Sequence, residues 1–187
     1  MICYVDESIR SREKLYMIAA SVVVAADAQD VLDELRRAAP GRSKRFHWRI
    51  ELEKIRLRML DMIRDLHLHT LAVVYVSKRE KWAGRGRVQA LKGLLWELQN
   101  QESKVFELVI ETRGKFGDEE NRKTIFHAQQ AGIADRELIY RFDSPTNPFL
   151  WVPDAIAGAV GSFLVDGNGR YLERLDHARP HIIEVSE

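Results

Sequence analysis

The chain is short of cysteine, of net charge and of long uninterrupted apolar runs. Its 187 residues include one cysteine, Cys3, which excludes an intrachain disulfide and any thiolate metal cluster. Cys3 falls inside a short apolar segment, where a small buried hydrophobe is the expected role rather than a nucleophile. Formal net charge at pH 7 is +1, from 29 basic and 28 acidic residues. Whole-molecule charge therefore makes no case for a nucleic-acid partner, and any such contact has to come from a local patch. Apolar stretches such as "MIAASVVVAA" are too short to span a bilayer. The N-terminus is acidic where a secretory signal has a basic flank. These features predict a cytoplasmic protein with no membrane partner. Length and a hydrophobic content of 45 % suit one domain with a sizeable core.

What is present is an alternation of strand-like and helix-like segments. Ile2 to Val5 reads as a strand running into Asp6-Glu7-Ser8, and "LYMIAASVVVA" pairs with it as a hairpin across "IRSREK". Asp27 is placed to cap a helix through Ala38, and Leu52, Ile55, Met59 and Met62 predict a second helix from near Arg49 to Arg64. "HLHTLAVVYVS", "KVFELVIET" and "ELIYRF" read as further strands. Between them, one helix carries Val88, Leu91, Leu95 and Leu98, and another is expected to start at Asp118. A last helix is expected from Pro153 to Val165, followed by a tail in which "HIIEV" could add an edge strand. The order predicts one α/β domain over residues 1–187, with three layers and a mixed sheet of about five strands between helices. A helical insertion over 27–66 and a C-terminal extension over 166–187 decorate it.

Two strands end on carboxylates, Asp6 and Glu111, and Asp154 in "WVPDAIAGAVG" sits in the first turn of the last helix. Ala157, Gly158 and Gly161 follow at i+3, i+4 and i+7, a small-residue face that lets this helix approach the sheet closely and bring Asp154 to the strand ends. Glycine inside a helix costs about 1 kcal/mol relative to alanine, so two of them call for a reason. Three converging carboxylates repel unless a cation sits among them, and Mg²⁺ or Mn²⁺ is the cation that Asp and Glu oxygens suit. Two such ions can drive phosphodiester hydrolysis. The plainer alternative has Asp154 as a helix-start residue and Asp6 and Glu111 as solvated strand ends.

His47, in "RSKRFHWRIELE", has a reference pKa near working pH and can order water or move a proton; an exposed or helix-capping histidine is the alternative. Glu51 is a weaker fourth carboxylate. His67 and His69 alternate as on one strand face and read as sheet residues, while His127, His177 and His181 stand alone. Arg42 to Arg49, including Lys44, Arg45 and Arg49, make one basic cluster. Lys78, Arg79, Lys81, Arg85 and Arg87 around Trp82 make another, and Arg113 and Lys115 follow Glu111. Of these, Arg45, Arg49, Arg85, Arg87, Arg113 and Lys115 are the candidate phosphate contacts. "AGRGR" lacks both the P-loop Lys-Ser/Thr and the dinucleotide fingerprint.

The first strand ending in Asp-Glu-Ser, a histidine ahead of a helix, an acidic later strand end and the late "PDAIAGAVG" helix together resemble the DUF3800 family. The resemblance runs from Met1 to about Val165 and implies a ribonuclease H-like fold. It implies a catalytic set of Asp6, Glu7, His47, Glu111 and Asp154, with Asp6, Glu111 and Asp154 as metal ligands. Ile9 stands where a glycine commonly follows Asp-Glu-Ser, and Phe46 where an acidic residue usually precedes the histidine. The expectation is a metal-dependent nuclease acting on RNA or DNA. The alternative is a non-catalytic module of the same fold that binds protein or nucleic acid.

Overall fold

A computed structural model of the chain describes residues 1–38, 45–77, 82–101 and 104–186. Arg42, Lys44, Lys78, Arg79 and Lys81 of the two basic clusters lie outside the described residues. The centre is a meander of β1 (Ile2–Arg10), β2 (Leu15–Val23) and β3 (His69–Val76), each pair antiparallel. β4 (Glu107–Glu111) adds parallel to β1 and β5 (Ile139–Asp143) parallel to β4. The C-terminal tail supplies β6 (His181–Val185), parallel to β3. The sheet has six strands in the order β5-β4-β1-β2-β3-β6, so "HIIEV" is the edge strand that extends the expected five.

Every residue of β2 is buried, because both faces of the sheet are covered. One face, with Tyr4, Met17, Ala19, Val74 and Val109, lies under α1 (Ala28–Ala38), α2 (Glu53–Asp65), α5 (Trp151–Asp166) and α6 (Arg170–Leu175). The other, with Cys3, Val5, Tyr16, Ile18, Val73 and Ile110, lies under α3 (Ala83–Gln99) and α4 (Gly114–Gln130). Alternation along each strand sorts residues between these two cores.

Helix starts differ from the sequence pattern, each for a local reason. Residues 48–51 form a turn closed by the Ile50 and Glu51 N–H groups on the His47 carbonyl, so α2 begins only at Glu53 and Leu52 is 65 % exposed. Arg56 donates to the carbonyls of Trp48 and Arg49 and completes that turn. α4 begins at Gly114, with Asp118 inside it. The Asp118 carboxylate reaches back to the Arg113 N–H (2.8 Å) and the Thr112 hydroxyl (2.7 Å), so it serves the helix start from within the second turn. α5 begins at Trp151, after a 3-10 turn over Pro148–Leu150 that Asn147 caps. Pro153 then falls where its missing N–H has no intrahelical acceptor to lose.

Residues 148–166 are also long and apolar enough to cross a bilayer, with a mean hydropathy of 1.5. Asp154 interrupts the stretch, so it does not form one unbroken apolar run. Here 67 % of that stretch is buried within the protein, with α5 packed on β1 and β2. The glycines of α5 admit side chains rather than the sheet backbone. A Cβ at Gly158 would lie 2.1 Å from the Trp48 ring, and one at Gly161 would lie 2.8 Å from the Arg10 guanidinium. Trp48 fills the Gly158 slot and meets Tyr171 edge-on at 4.9 Å. Gly158→Ala is expected to destabilise the protein by about 1–3 kcal/mol through overpacking, despite alanine's better helix propensity. A lower urea midpoint at unchanged slope is the expected readout, and an equal or higher midpoint would contradict the slot.

Candidate active site

β1 is one of the two central strands, and its ladder with β2 carries it past the expected end at Val5 to Arg10. Asp6 therefore lies within the strand rather than at its end, and the pleat separates it from Glu7. Asp6 shares the α5 face with Tyr4 and accepts the Glu7 N–H at 2.7 Å. β4 runs parallel to β1 with Val5 opposite Ile110, so the next residue, Glu111, comes alongside Asp6 on the same face. α5 crosses above and delivers Asp154 from its first turn. One oxygen of Asp154 accepts the Trp48 N–H (2.9 Å) and faces Nδ1 of His47 (3.3 Å). The turn that precedes α2 thus hangs on Asp154 while the Trp48 indole sits in the glycine slot of the same helix.

Asp6, His47, Glu111 and Asp154 line a pocket of about 280 Å³ together with Glu7, Ser8, Ile9, Arg45, Arg49 and Arg113. Arg45 lies 3.5 Å from the Glu111 carboxylate, and Arg49 donates to the Ile9 carbonyl at 2.9 Å. Asp6 is only 6 % exposed. Burial, then the charges of Glu111 and Asp154, hold its carboxyl well above the ordinary carboxylate range, against the Glu7 N–H and Arg113. Burial and Asp154 also raise Glu111, against Arg45, Arg113 and His47. The pocket concentrates negative charge at its floor and arginines at its rim.

Glu7 borders the pocket, but its carboxylate is turned away from the other three. Its carboxylate lies on the α3–α4 side of the sheet, takes the Tyr16 hydroxyl and the Asn121 amide (2.9 Å), and stands 3.6 Å from Arg87. Arg87 in turn donates to the Tyr16 hydroxyl (3.1 Å), and burial followed by the Glu7 charge pushes that phenol upward. Strand alternation alone separates neighbouring residues this way, so the adjacency of Asp6 and Glu7 in sequence argues against one shared site. Tyr16 and Asn121, which complete the second network, carry no motif that marks them.

Arg45, Arg49 and Arg113 line the pocket. Arg87 belongs to the Glu7 network, while Arg85 and Lys115 are exposed in the first turns of α3 and α4, outside the pocket lining. Glu51 lies in the turn before α2, also outside that lining. His67 is not on β3: it occupies a turn with φ of +50° and contacts His177. Among the described residues, no three or more His, Cys, Asp or Glu side chains meet as a ready-made metal site.

No protein-family model matches the chain, and no curated protein matches it. The resemblance to the DUF3800 family therefore rests on the short sequence motifs. A chain of the PCNA:RNase HII complex from Archaeoglobus fulgidus superposes with a TM-score of 0.56, covering 89 % of this chain and 74 % of that one. The fold is ribonuclease H-like. Sequence identity is 10 %, so the likeness concerns the fold alone: a mixed sheet flanked by helices in three layers.

Asp6 supplies a test of the pocket's electrostatics. Its carboxyl binds a proton more tightly folded than unfolded, so its contribution to stability is full below the unfolded value near 4. That contribution is lost as pH rises through the raised folded value. Asp6→Asn retains an acceptor for the Glu7 N–H and removes the buried charge. The variant is expected to melt several degrees above wild type at pH 7 without divalent cations, with the gap closing toward pH 4. An unchanged or lower melting temperature at pH 7 would refute the charge strain.

Proposed function

We propose that the protein is a divalent-cation-dependent phosphodiesterase, a nuclease acting on RNA or DNA. The observation that carries this reading is the pocket itself: Asp6, Glu111 and Asp154 face one cavity, two of them held above the carboxylate range by burial and by one another. Such an arrangement costs stability in the empty protein, and a cation among the carboxylates offsets that cost. The donor set consists of hard carboxylate oxygens, which suit Mg²⁺ or Mn²⁺. When bound, the cation would activate water and stabilise charge on the leaving oxygen.

The chain's own residues have separable roles in this reading. Asp6, Glu111 and Asp154 would hold the cation, and Arg45, now beside Glu111, would turn to a substrate phosphate. Arg49 and Arg113 add guanidinium donors matched to phosphate oxygens. Asp154 faces Nδ1 of His47 and orients the ring, leaving Nε2 to take or return a proton. Glu7, Tyr16, Asn121 and Arg87 brace β1 from the opposite face.

A second reading is a non-catalytic module of the same fold that binds protein or nucleic acid. The absence of a closed three-ligand group among the described residues favours it. The experiment compares wild type and Asp154→Asn, in which the amide oxygen still accepts the Trp48 N–H. Millimolar Mn²⁺ is expected to raise the melting temperature of wild type and to raise that of the variant much less. Labelled RNA and DNA oligonucleotides should be cleaved only by wild type with Mn²⁺ or Mg²⁺, with a loss of at least about 100-fold in the variant. Equal Mn²⁺ shifts, or none, together with intact oligonucleotides, would overturn the nuclease and leave the binding module.

A further inference from the structure

Just beyond the C-terminal end of α2, two histidines distant in sequence meet. Nδ1 of His67 and Nε2 of His177 are 2.8 Å apart, and both rings are exposed. His67 lies in the turn between α2 and β3. His177 lies in the 3-10 turn over Asp176–Ala178 that leads into β6. Three non-glycine residues among those described have positive φ, and two of them build this meeting: His67 at +50° and Asp176, next to His177, at +49°. Positive φ is unfavourable at a residue that bears a Cβ. The surrounding packing sustains both, with Leu175 and Ala178 buried and the Thr70 hydroxyl donating to the Ala178 carbonyl at 3.4 Å.

We infer that His67 and His177 form a two-imidazole site for a borderline transition cation such as Zn²⁺, tying the α2–β3 turn to the segment that leads into β6. Empty, the nitrogens share one proton in an N–H···N bond. Loaded, both rings stay neutral and present lone pairs to the cation: the ring that donated shifts to its other tautomer, its proton moving to the far ring nitrogen by exchange with solvent, and water completes the coordination. Two Zn–N bonds of about 2.0–2.1 Å at a tetrahedral angle set the nitrogens roughly 3.3 Å apart, so binding opens the pair by about half an ångström. The Asp176 carboxylate stands 3.5 Å from Nδ1 of His177, the ring nitrogen turned away from His67. A carboxylate there orients the ring and raises its basicity as a ligand. Imidazole nitrogens select a softer cation than the carboxylates of the pocket do, and this site is independent of the nuclease reading.

The test is thermal melting of the full chain with and without Zn²⁺, in wild type, His67→Asn and His177→Gln. Asparagine tolerates the left-handed conformation at position 67. At one hundred times the dissociation constant, the Zn²⁺-dependent rise through this site is expected to be roughly 5–10 °C, and each variant should lose it while keeping any Mn²⁺ response of the carboxylate pocket. Imidazole resonances of the wild-type protein provide a reading that needs no variant: Zn²⁺ should move those of His67 and His177 and leave that of His127 in place. Zn²⁺ shifts equal in wild type and both variants, or unmoved His67 and His177 resonances, would overturn the site.

Discussion

Taking a carboxylate out of water is unfavourable, and placing a second and third beside it is more so, unless each finds a donor or a counter-charge. Asp6 sits on a central strand of the sheet, where β2 and β4 flank it and α5 closes over it. Its own neighbours in space are Glu111 and Asp154. Much of what surrounds the pocket answers to that crowding. Arg45 and Arg113 stand at its rim, the Trp48 N–H and His47 take one oxygen of Asp154, and the Glu7 N–H takes one oxygen of Asp6. These contacts lower the charge strain without removing it, since Asp6 and Glu111 remain displaced toward their neutral forms.

One residue along, the same strand handles a carboxylate in the opposite way. Glu7 is more deeply buried by side chain than Glu111, yet a phenol, an amide and a guanidinium surround it. The contrast is between a fully satisfied network, which rigidifies, and a partly satisfied one, which retains affinity for something positive. The two chemistries share β1, so the network under α3 and α4 fixes the strand from which Asp6 projects. Removing Arg87 or Tyr16 would reach the pocket through the backbone of β1 and not through space.

Strands are legible because Val, Ile and Tyr cluster between polar breaks, and their order is enough for a mixed three-layer domain with Glu111 at a strand end. Asp6, expected at a strand end, lies inside β1 instead. That the two would share a face follows from parallel pairing in this register, which no local pattern announces. Asp154 was legible through its small-residue helix, although the glycines serve Trp48 and Arg10 and not a close approach to the sheet backbone. Helix starts were read less well. Asp118 looks like a cap by residue type, but its carboxylate reaches back a full turn. Leu52 fits the apolar spacing of α2 and yet precedes it in a turn that Arg56 completes. The resemblance groups Glu7 with Asp6, whereas the period of a strand places their side chains on opposite faces. His177 carries no signal in sequence, since its partner lies 110 residues away.

The order in which the chain leaves the ribosome gives the parallel pairing of β1 and β4 a further meaning. β1, β2 and β3 can form their meander from the first 76 residues, but β1 then presents an open edge until β4 is synthesised. α5 follows later still in the chain, so the charges of Glu111 and Asp154 can join Asp6 only once the segments that carry them are made. The crowding of charge that marks the finished pocket is thus imposed late, after the meander has somewhere to hold it. A nascent chain stalled before β4 would carry the strand and its carboxylate but none of the electrostatic tension, and its β1 edge would be open to the wrong strand.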